Sequence, residues 1–358
     1  MPKKIIHIAE DVSLTSGGLR SMITDLNNQL NLSDLSSKII TLKKEENDVF
    51  DLVESKQNFW NYSSDYQKKV EIDLNPTSIL HLHGVWMYPQ YIAAKISEKN
   101  NIPSILTCHG MLEPYLLNDK KLKKYLYLNI ILKSILKKTK IIHAITEKEK
   151  NNIFNLTKHP KIIEIPNLIN IDKTNSLKYD PKEEYILFLG RFHAVKGIEL
   201  LVEAFEKIDN KNIKLYLVGF KNDYCMSILE LINKKGLNKR IRYYGEAKGI
   251  EKNILYANAK AFVAPSFSEV IGMVNLEAAS FKTPVITTYN TGLSKQWNKN
   301  GGFLINPVLE ELVKTLNIVC TMHTNERIER GICLYDFVLK NYSWNEKGYL
   351  WNELYKSL

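Results

Sequence analysis

Two glutamates eight residues apart, Glu269 and Glu277, stand out because their neighbours are apolar or small. The run 261–265 predicts a buried strand, and 272–281, rich in Met, Leu, Glu and Ala, predicts a helix. Glu269 then lies in the strand-to-helix loop, at the carboxyl edge where open α/β sheets bind ligands. Carboxylates accept hydrogen bonds from hydroxyl groups, so the pair indicates a polyol such as a ribose or a hexose. The spacing alone fits two solvated helix glutamates equally well.

A second set of polar side chains follows the predicted strand 185–189. The sequence turns at Gly190, presents Arg191, and reaches Lys196 and Gly197, where a helix is predicted to begin. Arginine offers a fork for phosphate oxygens and lysine a point charge. The N–H groups at a helix start also attract anions. Two cations beside a helix start therefore predict a diphosphate site.

Strand and helix patterns alternate along both halves of the chain, which is typical of βαβ units and parallel sheets. In the first half, apolar runs predict a helix over 19–30 and strands at 5–9, 78–83, 104–108, 141–145 and 162–166. In the second half they predict strands at 185–189, 215–219, 241–245, 261–265 and 285–288. A chain of 358 residues exceeds a usual single core, so two domains are expected. Neither half contains Gly-x-Gly-x-x-Gly, which counts against a nicotinamide dehydrogenase.

These patterns together resemble retaining glycosyltransferase family 4, whose members have the GT-B fold. The segment 268–278, with 283–288 after it, is similar to the family's donor-site signature. The element Gly190-Arg191-x4-Lys196-Gly197 is similar to the one that the family carries about 80 residues upstream. The resemblance implies an α/β protein with two Rossmann-like domains whose parallel sheets face a central cleft. The implied boundaries are an acceptor domain at 1–170, a linker at 171–182, a nucleotide-sugar-binding domain at 183–342, and a C-terminal helix at 343–358 that crosses back to the first domain.

In the first half, Gly17 and Gly18 match the family's glycine loop beside the donor phosphates, although an ordinary strand-to-helix turn is the alternative. His109 follows an apolar strand and precedes a glycine, as in the family members that build bacterial surface polysaccharides. We expect His109 to hydrogen-bond the transferred sugar or to handle the acceptor's proton. His81 and His83 are expected to be packing or loop residues.

The resemblance also assigns roles within the donor site. Arg191 and Lys196 would stabilise the negative charge that develops on the leaving diphosphate. Glu269 would bind the hexose hydroxyls and Glu277 the nucleotide ribose. The predicted catalytic residues are His109, Glu269, Arg191 and Lys196. The predicted donor-binding residues are Gly17, Gly18, Gly190, Arg191, Lys196, Gly245, Glu246, Ala247, Glu269, Ile271, Gly272, Met273, Val274 and Glu277.

A metal could neutralise the leaving group instead, but it would require carboxylate ligands, and the sequence contains no Asp-x-Asp. We therefore expect no metal and no cofactor. The resemblance implies retention of the anomeric configuration. Two departures leave the donor's identity open: Val270-Ile271 replaces the usual Gly-Phe, and the usual Pro-Glu is missing after Gly292.

Three functions are compatible with this sequence pattern. The first is a retaining hexosyltransferase that uses a UDP- or GDP-sugar and a polyprenyl-linked acceptor or nascent glycan, in the synthesis of capsule, O-antigen or exopolysaccharide. The second is another GT-B-like enzyme such as a nucleotide-sugar 2-epimerase, which needs no acceptor. The third is a non-catalytic basic module, favoured only by the net charge of +10.

The charge is concentrated in the segment Lys120–Lys140, which holds eight lysines and no acidic residue. The apolar stretch between its two lysine clusters predicts a helix that rests on anionic lipid headgroups, although a buried helix with solvated ends fits equally. No motif resembles a nucleic-acid-binding element. We expect a cytoplasmic protein for three reasons. The four cysteines are scattered, no signal-peptide pattern is present, and no apolar run reaches ~18 residues. The lysine-rich helix would place it at the inner face of the cytoplasmic membrane.

Overall fold

The computed structural model describes residues 2–54, 59–117, 121–171 and 177–358. Lys120 and much of the predicted linker lie outside these residues. The chain divides into two compact units. Unit one comprises Met1–Leu168 and Lys347–Leu358, and unit two comprises Ile169–Glu346. Within the described ranges, no helix combines the length and the apolar character needed to cross a bilayer.

Unit one is built on a parallel sheet that has, among the described residues, seven strands in the order β3-β2-β1-β4-β5-β6-β7. The strands are β1 (Lys4–Ile8), β2 (Ser36–Thr41), β3 (Asp51–Leu52), β4 (Ser78–His83), β5 (Ser104–Thr107), β6 (Ile141–Ala144) and β7 (Ile162–Glu164). The helices are α1 (Gly18–Asn31), α2 (Ser64–Asp73), α3 (Tyr88–Lys99), α4 (Pro114–Leu117), α5 (Lys121–Tyr127), α6 (Lys133–Lys138) and α7 (Glu147–Thr157). A π-helical segment, Leu128–Leu132, joins α5 to α6.

Unit two repeats this design with a parallel sheet in the order β10-β9-β8-β11-β12-β13. Its strands are β8 (Tyr185–Leu189), β9 (Lys214–Val218), β10 (Ile241–Gly245), β11 (Ala261–Ala264), β12 (Val285–Thr288) and β13 (Phe303–Ile305). Its helices are α8 (Ile198–Lys207), α9 (Asp223–Lys234), α10 (Gly249–Asn258), α11 (Met273–Ser280), α12 (Leu309–Thr321), α13 (Thr324–Tyr342) and α14 (Trp344–Lys347). The last helix, α15 (Tyr349–Lys356), belongs to unit one.

Both sheets are buried on their two faces, which is why their strands appear as short, nearly continuous apolar runs. In unit two, one apolar core lies between the sheet and the helices α8, α9 and α12, and Phe188, Leu201, Leu217, Ile228 and Leu316 are fully or almost fully buried there. The predicted α/β class with two Rossmann-like parallel sheets is confirmed. The single C-terminal helix predicted over 343–358 is instead two helices, separated at Gly348, a residue type with low helix propensity.

The strand order places a topological switch point in each sheet, between β1 and β4 in unit one and between β8 and β11 in unit two. At a switch point the chain leaves two neighbouring strands in opposite directions, and the loops after them flank a crevice at the carboxyl edge. Both donor-site elements predicted from the sequence lie at the switch point of unit two. The first is the loop after β8 and the second is the loop after β11.

Candidate active site

The two loops at the switch point of unit two are joined by backbone contact. The N–H of Phe267, in the loop after β11, donates a hydrogen bond of 2.8 Å to the carbonyl of Val195, in the loop after β8. Gly197 makes this approach possible. Its φ is +67°, and a Cβ atom there would lie 2.3 Å from the carbonyl oxygen of Pro265. Only glycine therefore fits this position.

The central contact of the site is an ion pair between Lys196 and Glu269, whose side chains are 16% and 17% exposed. Ser266 Oγ donates a second hydrogen bond, of 3.1 Å, to Oε2 of Glu269. Gly272 lies against this carboxylate in a left-handed conformation, and a Cβ atom there would be 3.0 Å from Oε2. The pair brings the predicted phosphate-binding cation and the predicted sugar-binding carboxylate into direct contact.

Glu277 lies in the middle of α11, and two residues of the described part of the chain contact the same carboxylate oxygen. Tyr256 donates a hydrogen bond of 2.8 Å to Oε2, and Lys252 Nζ lies 2.8 Å from the same atom. Burial, and then the Glu277 charge, raise the pKa of Tyr256 well above its usual value, so the phenol remains a donor. Among the described residues, none hydrogen-bonds Oε1 of Glu277, and this oxygen can accept a ligand hydroxyl.

The loop after β8 is strongly cationic. Arg191 is exposed and forms no ion pair with any residue in the described part of the chain. The pKa of His193 is lowered by burial and then by the positive charges of Arg191 and Lys196. Helix α8 begins just after this loop, with Gly197 as an N-cap that lacks a capping side chain. Its first N–H groups therefore remain available to an anion.

The other donor-site residues predicted in unit two lie at the same edge of its sheet. Ile271 is buried, and Met273 and Val274 begin the first turn of α11. Gly190 is the first residue after β8, and Gly245 is the last residue of β10. Glu246 and Ala247 follow, and Glu246 pairs with Lys248 on the surface.

Gly219, for which the sequence predicted no role in the site, follows β9 and lies between two of these glycines. Its N–H donates to the carbonyl of Gly245 at 2.9 Å, and the N–H of Gly190 donates to the carbonyl of Val218 at 3.0 Å. A Cβ atom at Gly219 would lie 2.1 Å from the carbonyl oxygen of Gly190. A lone glycine after an apolar strand was the available signal.

In unit one, Gly17 is the N-cap of α1 and Gly18 is the first residue of this helix, which follows β1 at the switch point. Gly17 has φ 58° and ψ −121°, a conformation that is essentially restricted to glycine. No atom lies within 4 Å of the position that a Cβ would occupy. Backbone conformation, and not crowding within unit one, is therefore what requires glycine here.

His109 follows β5 and is held in a left-handed conformation, with φ 53°. Its Nε2 lies 3.0 Å from Nδ1 of His83. The next residue, Gly110, donates its N–H at 2.6 Å to the carboxylate of Glu149, which also accepts the N–H of Ile145 at 2.7 Å. Burial raises the pKa of Glu149 to about 7, although these two donors lower it. Glu149 thus fixes the backbone on which His109 is carried.

Removing this carboxylate should loosen that turn. We expect Glu149→Ala to lower the free energy of unfolding by about 2 kcal/mol or more, because two buried N–H groups lose their acceptor. Chemical denaturation measures the loss, and amide hydrogen exchange at Gly110 should accelerate with it. Glu147→Ala, at an exposed position in the same helix turn, is the matched control and should change stability by less than about 0.5 kcal/mol. Equal stability of both variants would contradict the anchoring role of Glu149.

Histidines form a buried layer on one face of the unit-one sheet. His81 and His83 are strand residues of β4 that alternate with the core leucines of the other face, and β1 and β6 bring His7 and His143 to the same side. The expectation that His81 and His83 are packing or loop residues is confirmed for packing, since both lie in a buried strand and not in a loop. Both are fully buried and hydrogen-bonded, because strand register aligns them with polar neighbours.

Helix α15 covers this layer. The rings of Trp351 and His143 lie 4.6 Å apart between centroids, and Tyr355 Oη lies 2.7 Å from Nδ1 of His81. Burial lowers the pKa of His7 to about 3 and that of His143 to about 4. It lowers the pKa values of His81 and His83 well below their usual value. The imidazoles are accordingly neutral at pH 7.

The carbonyl of Ile165 determines the direction of every hydrogen bond in one half of this layer. A carbonyl only accepts, so His143 must donate to it from Nε2, over 2.8 Å. His143 Nδ1 then accepts from the hydroxyl of Thr107 at 2.9 Å, and this hydroxyl accepts from Nε2 of His81 at 2.7 Å. His81 Nδ1 in turn accepts from the phenol of Tyr355.

One trio in the layer could be considered for a metal ion. Ligand atoms of His7, His81 and His83 lie within 4.8 Å of one another. Both nitrogens of His81 are already engaged, one by Tyr355 and one by Thr107, and a metal would have to displace one of these hydroxyls. The hydrogen-bond pattern therefore favours a layer of neutral imidazoles over a metal centre.

Fold and site geometry together define the class of this protein as GT-B. Among solved structures, sucrose-phosphate synthase of Thermosynechococcus elongatus is similar with a TM-score of 0.82, 19% identity, and coverage of 99% of this chain and 98% of that one. HepE of Anabaena, solved with UDP and glucose, is similar with a TM-score of 0.81, 16% identity, and coverage of 99% and 100%.

Comparison with protein families adds to this class the kind of enzyme that the chain resembles. Residues 171–329 match the model for glycosyl transferases group 1, and residues 54–173 match the model for glycosyltransferase family 4. The resemblance that the motifs predicted is confirmed, since the two glycosyltransferase models together cover residues 54–329. The O-antigen chain mannosyltransferase RfbU of Salmonella typhimurium is 27% identical over 65% of this chain. The match spans 65% of that relative's own length.

Proposed function

We propose that this protein transfers a hexose from a nucleotide-diphosphate sugar to a lipid-linked or nascent bacterial surface glycan, with retention of configuration and without a metal ion. The ion pair between Lys196 and Glu269 carries the proposal, because it unites a phosphate-binding element and a sugar-binding element at one switch point. The matches to two glycosyltransferase models support glycosyl transfer, and the O-antigen mannosyltransferase among the relatives supports a surface glycan as product.

In the proposed donor complex, Arg191 and Lys196 bind the diphosphate, together with the N–H groups at the start of α8. The phosphate competes with Glu269 for Lys196, and Glu269 then accepts hydrogen bonds from hexose hydroxyls. Glu277 accepts a ribose hydroxyl on Oε1 while Lys252 and Tyr256 hold Oε2. HepE, solved with UDP and glucose, supports a donor of the nucleotide-sugar class.

Transfer breaks the bond between the anomeric carbon and the diphosphate oxygen. The acceptor oxygen forms its bond to that carbon on the same face, and its proton passes to the departing diphosphate. Negative charge grows on the leaving group, and the two preorganised cations stabilise it more strongly in the transition state than in the ground state. His109, in unit one, is proposed to hydrogen-bond the transferred sugar or to handle the acceptor's proton.

A panel of UDP- and GDP-sugars tests the donor, because a ligand that binds only the folded protein raises the melting temperature. We expect one nucleotide series to stabilise the protein and to support transfer to a polyprenyl-diphosphate glycan in the presence of EDTA, with retained configuration by NMR. Incubation with donor alone is the control. An epimer formed without acceptor would establish the 2-epimerase function instead, and binding of neither series would refute a donor site.

We further propose that the helical segment 121–138 rests on anionic membrane lipid. Tyr125, Leu126 and Ile130 are 64%, 52% and 69% exposed, although all three are apolar or aromatic. Lys133 and Lys137 are exposed on the same segment. Exposed apolar side chains interspersed with lysines are typical of helices that lie in a lipid interface. Side chains at 121–123 lie outside the described ones.

Replacing Lys133, Lys137 and Lys140 by glutamine should weaken binding to vesicles of anionic phospholipid by about 100-fold at low ionic strength. Each lysine near such a surface contributes roughly 1 kcal/mol, and salt should reduce the difference. Vesicle sedimentation measures the binding. The matched control replaces Lys207, Lys234 and Lys239 of unit two by glutamine. These lysines are also exposed, and their replacement removes the same amount of charge. Equal loss in both variants would attribute the effect to net charge and contradict the proposed surface.

A further inference from the structure

Three imidazoles of unit one form a hydrogen-bonded line from His109 into the interior of that unit, and the proposed function uses only His109. Nε2 of His109 lies 3.0 Å from Nδ1 of His83, and Nε2 of His83 lies 2.9 Å from Nδ1 of His7. His83 and His7 are fully buried, whereas His109 is only partly buried. His83, the middle ring, therefore uses one nitrogen for His109 and the other for His7.

The number of N–H protons allows the three hydrogen-bonded imidazoles only two protonation patterns. A neutral imidazole carries one N–H group and one acceptor nitrogen, and each contact requires one of each. The three N–H groups must consequently all point in one direction along this line of rings, either inward, toward His7, or outward, toward His109. Either all point inward, which places a proton on Nε2 of His7, or all point outward, which places a proton on Nδ1 of His109.

The inner end of the chain distinguishes these arrangements. Nε2 of His7 is buried and meets no hydrogen-bond partner within the described ranges. The inward arrangement would leave an N–H group unpaired there, whereas the outward arrangement leaves only an acceptor lone pair. Unpaired buried N–H groups are rarer than under-satisfied acceptors, so the outward arrangement has the lower free energy.

We propose that His83 and His7 are positioning residues that hold His109 in the tautomer protonated at Nδ1, so that His109 presents an N–H donor to a hydroxyl oxygen of the transferred sugar. This inference rests on the proposed function and selects between the two roles offered for His109. In this tautomer Nε2 already accepts a hydrogen bond from Nδ1–H of His83, and no ring nitrogen is left to act as a base.

The backbone independently fixes the same ring. His109 has φ 53°, a left-handed conformation that is uncommon for residues other than glycine, and Gly110 after it has φ 73°. Glu149 holds this turn through the N–H of Gly110. The ring is thus fixed from two directions, by its neighbour His83 and by its own backbone.

Long-range ¹H–¹⁵N NMR of the full chain, labelled at histidine nitrogens, tests the tautomer without reference to activity. We expect His109 to show a protonated Nδ1 and a bare Nε2 at pH 7, with its signals assigned from the spectrum of His109→Gln. A protonated Nε2 would overturn the inference even if the protein transfers sugar. Failure of transfer with the expected tautomer would instead count against the proposed function.

A matched pair of variants tests the role of His83. Asn at position 83 retains an N–H donor near the place of Nδ1, whereas Leu retains none. We expect His83→Leu to populate both His109 tautomers and to lower kcat by about 10-fold or more, with the KM for donor changed less than about threefold. His83→Asn should keep the wild-type tautomer and most of kcat. Equal kcat values and an unchanged tautomer in both variants would remove His83 from the positioning role.

Discussion

Replacing Lys196 by alanine is expected to lower the turnover number of glycosyl transfer by about 100-fold or more while the fold persists. A preorganised charge at a leaving group contributes a few kcal/mol to the transition state, and Lys196 is held by Glu269 at the switch point of unit two. Initial rates at saturating donor and acceptor measure the loss. Circular dichroism and the melting temperature check that unit two remains folded.

Lys235→Ala is the matched control for this prediction. Lys235 forms a comparable ion pair, 2.6 Å from Glu206, within the same unit but away from the two loops. Its removal should leave turnover within about twofold, because surface ion pairs contribute at most about 1 kcal/mol to stability and this one is outside the site. A folded Lys196→Ala variant with wild-type turnover would exclude Lys196 from the diphosphate site.

Mild acid is expected to destabilise unit one selectively. His7, His81, His83 and His143 are fully buried, and their folded pKa values lie well below the ordinary 6.5. The stability that these neutral rings contribute is fully present above pH 6.5 and is lost as the pH falls. The reason is that the unfolded histidines bind protons at these pH values, whereas the buried histidines of the folded protein remain neutral. Between pH 7 and pH 5, His7, whose folded pKa is about 3, contributes a loss of about 2 kcal/mol, and the other rings add to it.

Two buried carboxyl groups oppose this loss. The pKa values of Glu149 and Glu10 are raised by burial, so both groups favour the folded state as the pH falls. Glu149 offsets about 2 kcal/mol over this interval, about as much as His7 alone loses, so a net loss remains. Denaturant titrations at pH 7 and pH 5 measure the difference, and hydrogen exchange in β4 and β5 assigns it to unit one.

Single substitutions distinguish the histidine layer from a general acid effect. His7→Leu should reduce the slope of stability against pH by about one proton between pH 5 and 6. His323→Gln, at an exposed position in unit two, should leave the slope unchanged. An identical slope in wild type and His7→Leu would show that the layer takes no part in the acid response.

The donor-site half of the protein could be predicted from sequence because its signals are local. The strands 185–189, 241–245 and 285–288 were predicted with the bounds that the structure has, since each is a short apolar run bounded by polar residues or glycine. Glycines and charged residues directly after such runs indicate a ligand-binding edge. The roles of the individual site residues remain predictions.

The histidine layer could not be predicted, because it depends on which strands are neighbours. Alternation within β4 shows that His81 and His83 share a face, but not that β1 and β6 add His7 and His143 to it. Tyr355 is 274 residues away from His81 along the chain. Sequence periodicity carries no information about a contact of that range, and Glu149 was likewise hidden in an ordinary helix start.

Closure of unit one by α15 has a consequence for biosynthesis. Residues 1–168 emerge from the ribosome before all of unit two, yet the helix that covers their histidine layer is made after it. At 5–20 residues per second, this wait lasts on the order of ten seconds or more. Unit two is continuous in sequence and can complete its sheet first. The nascent chain therefore acquires its native structure in an inverted order, with the first-synthesised sheet closed last.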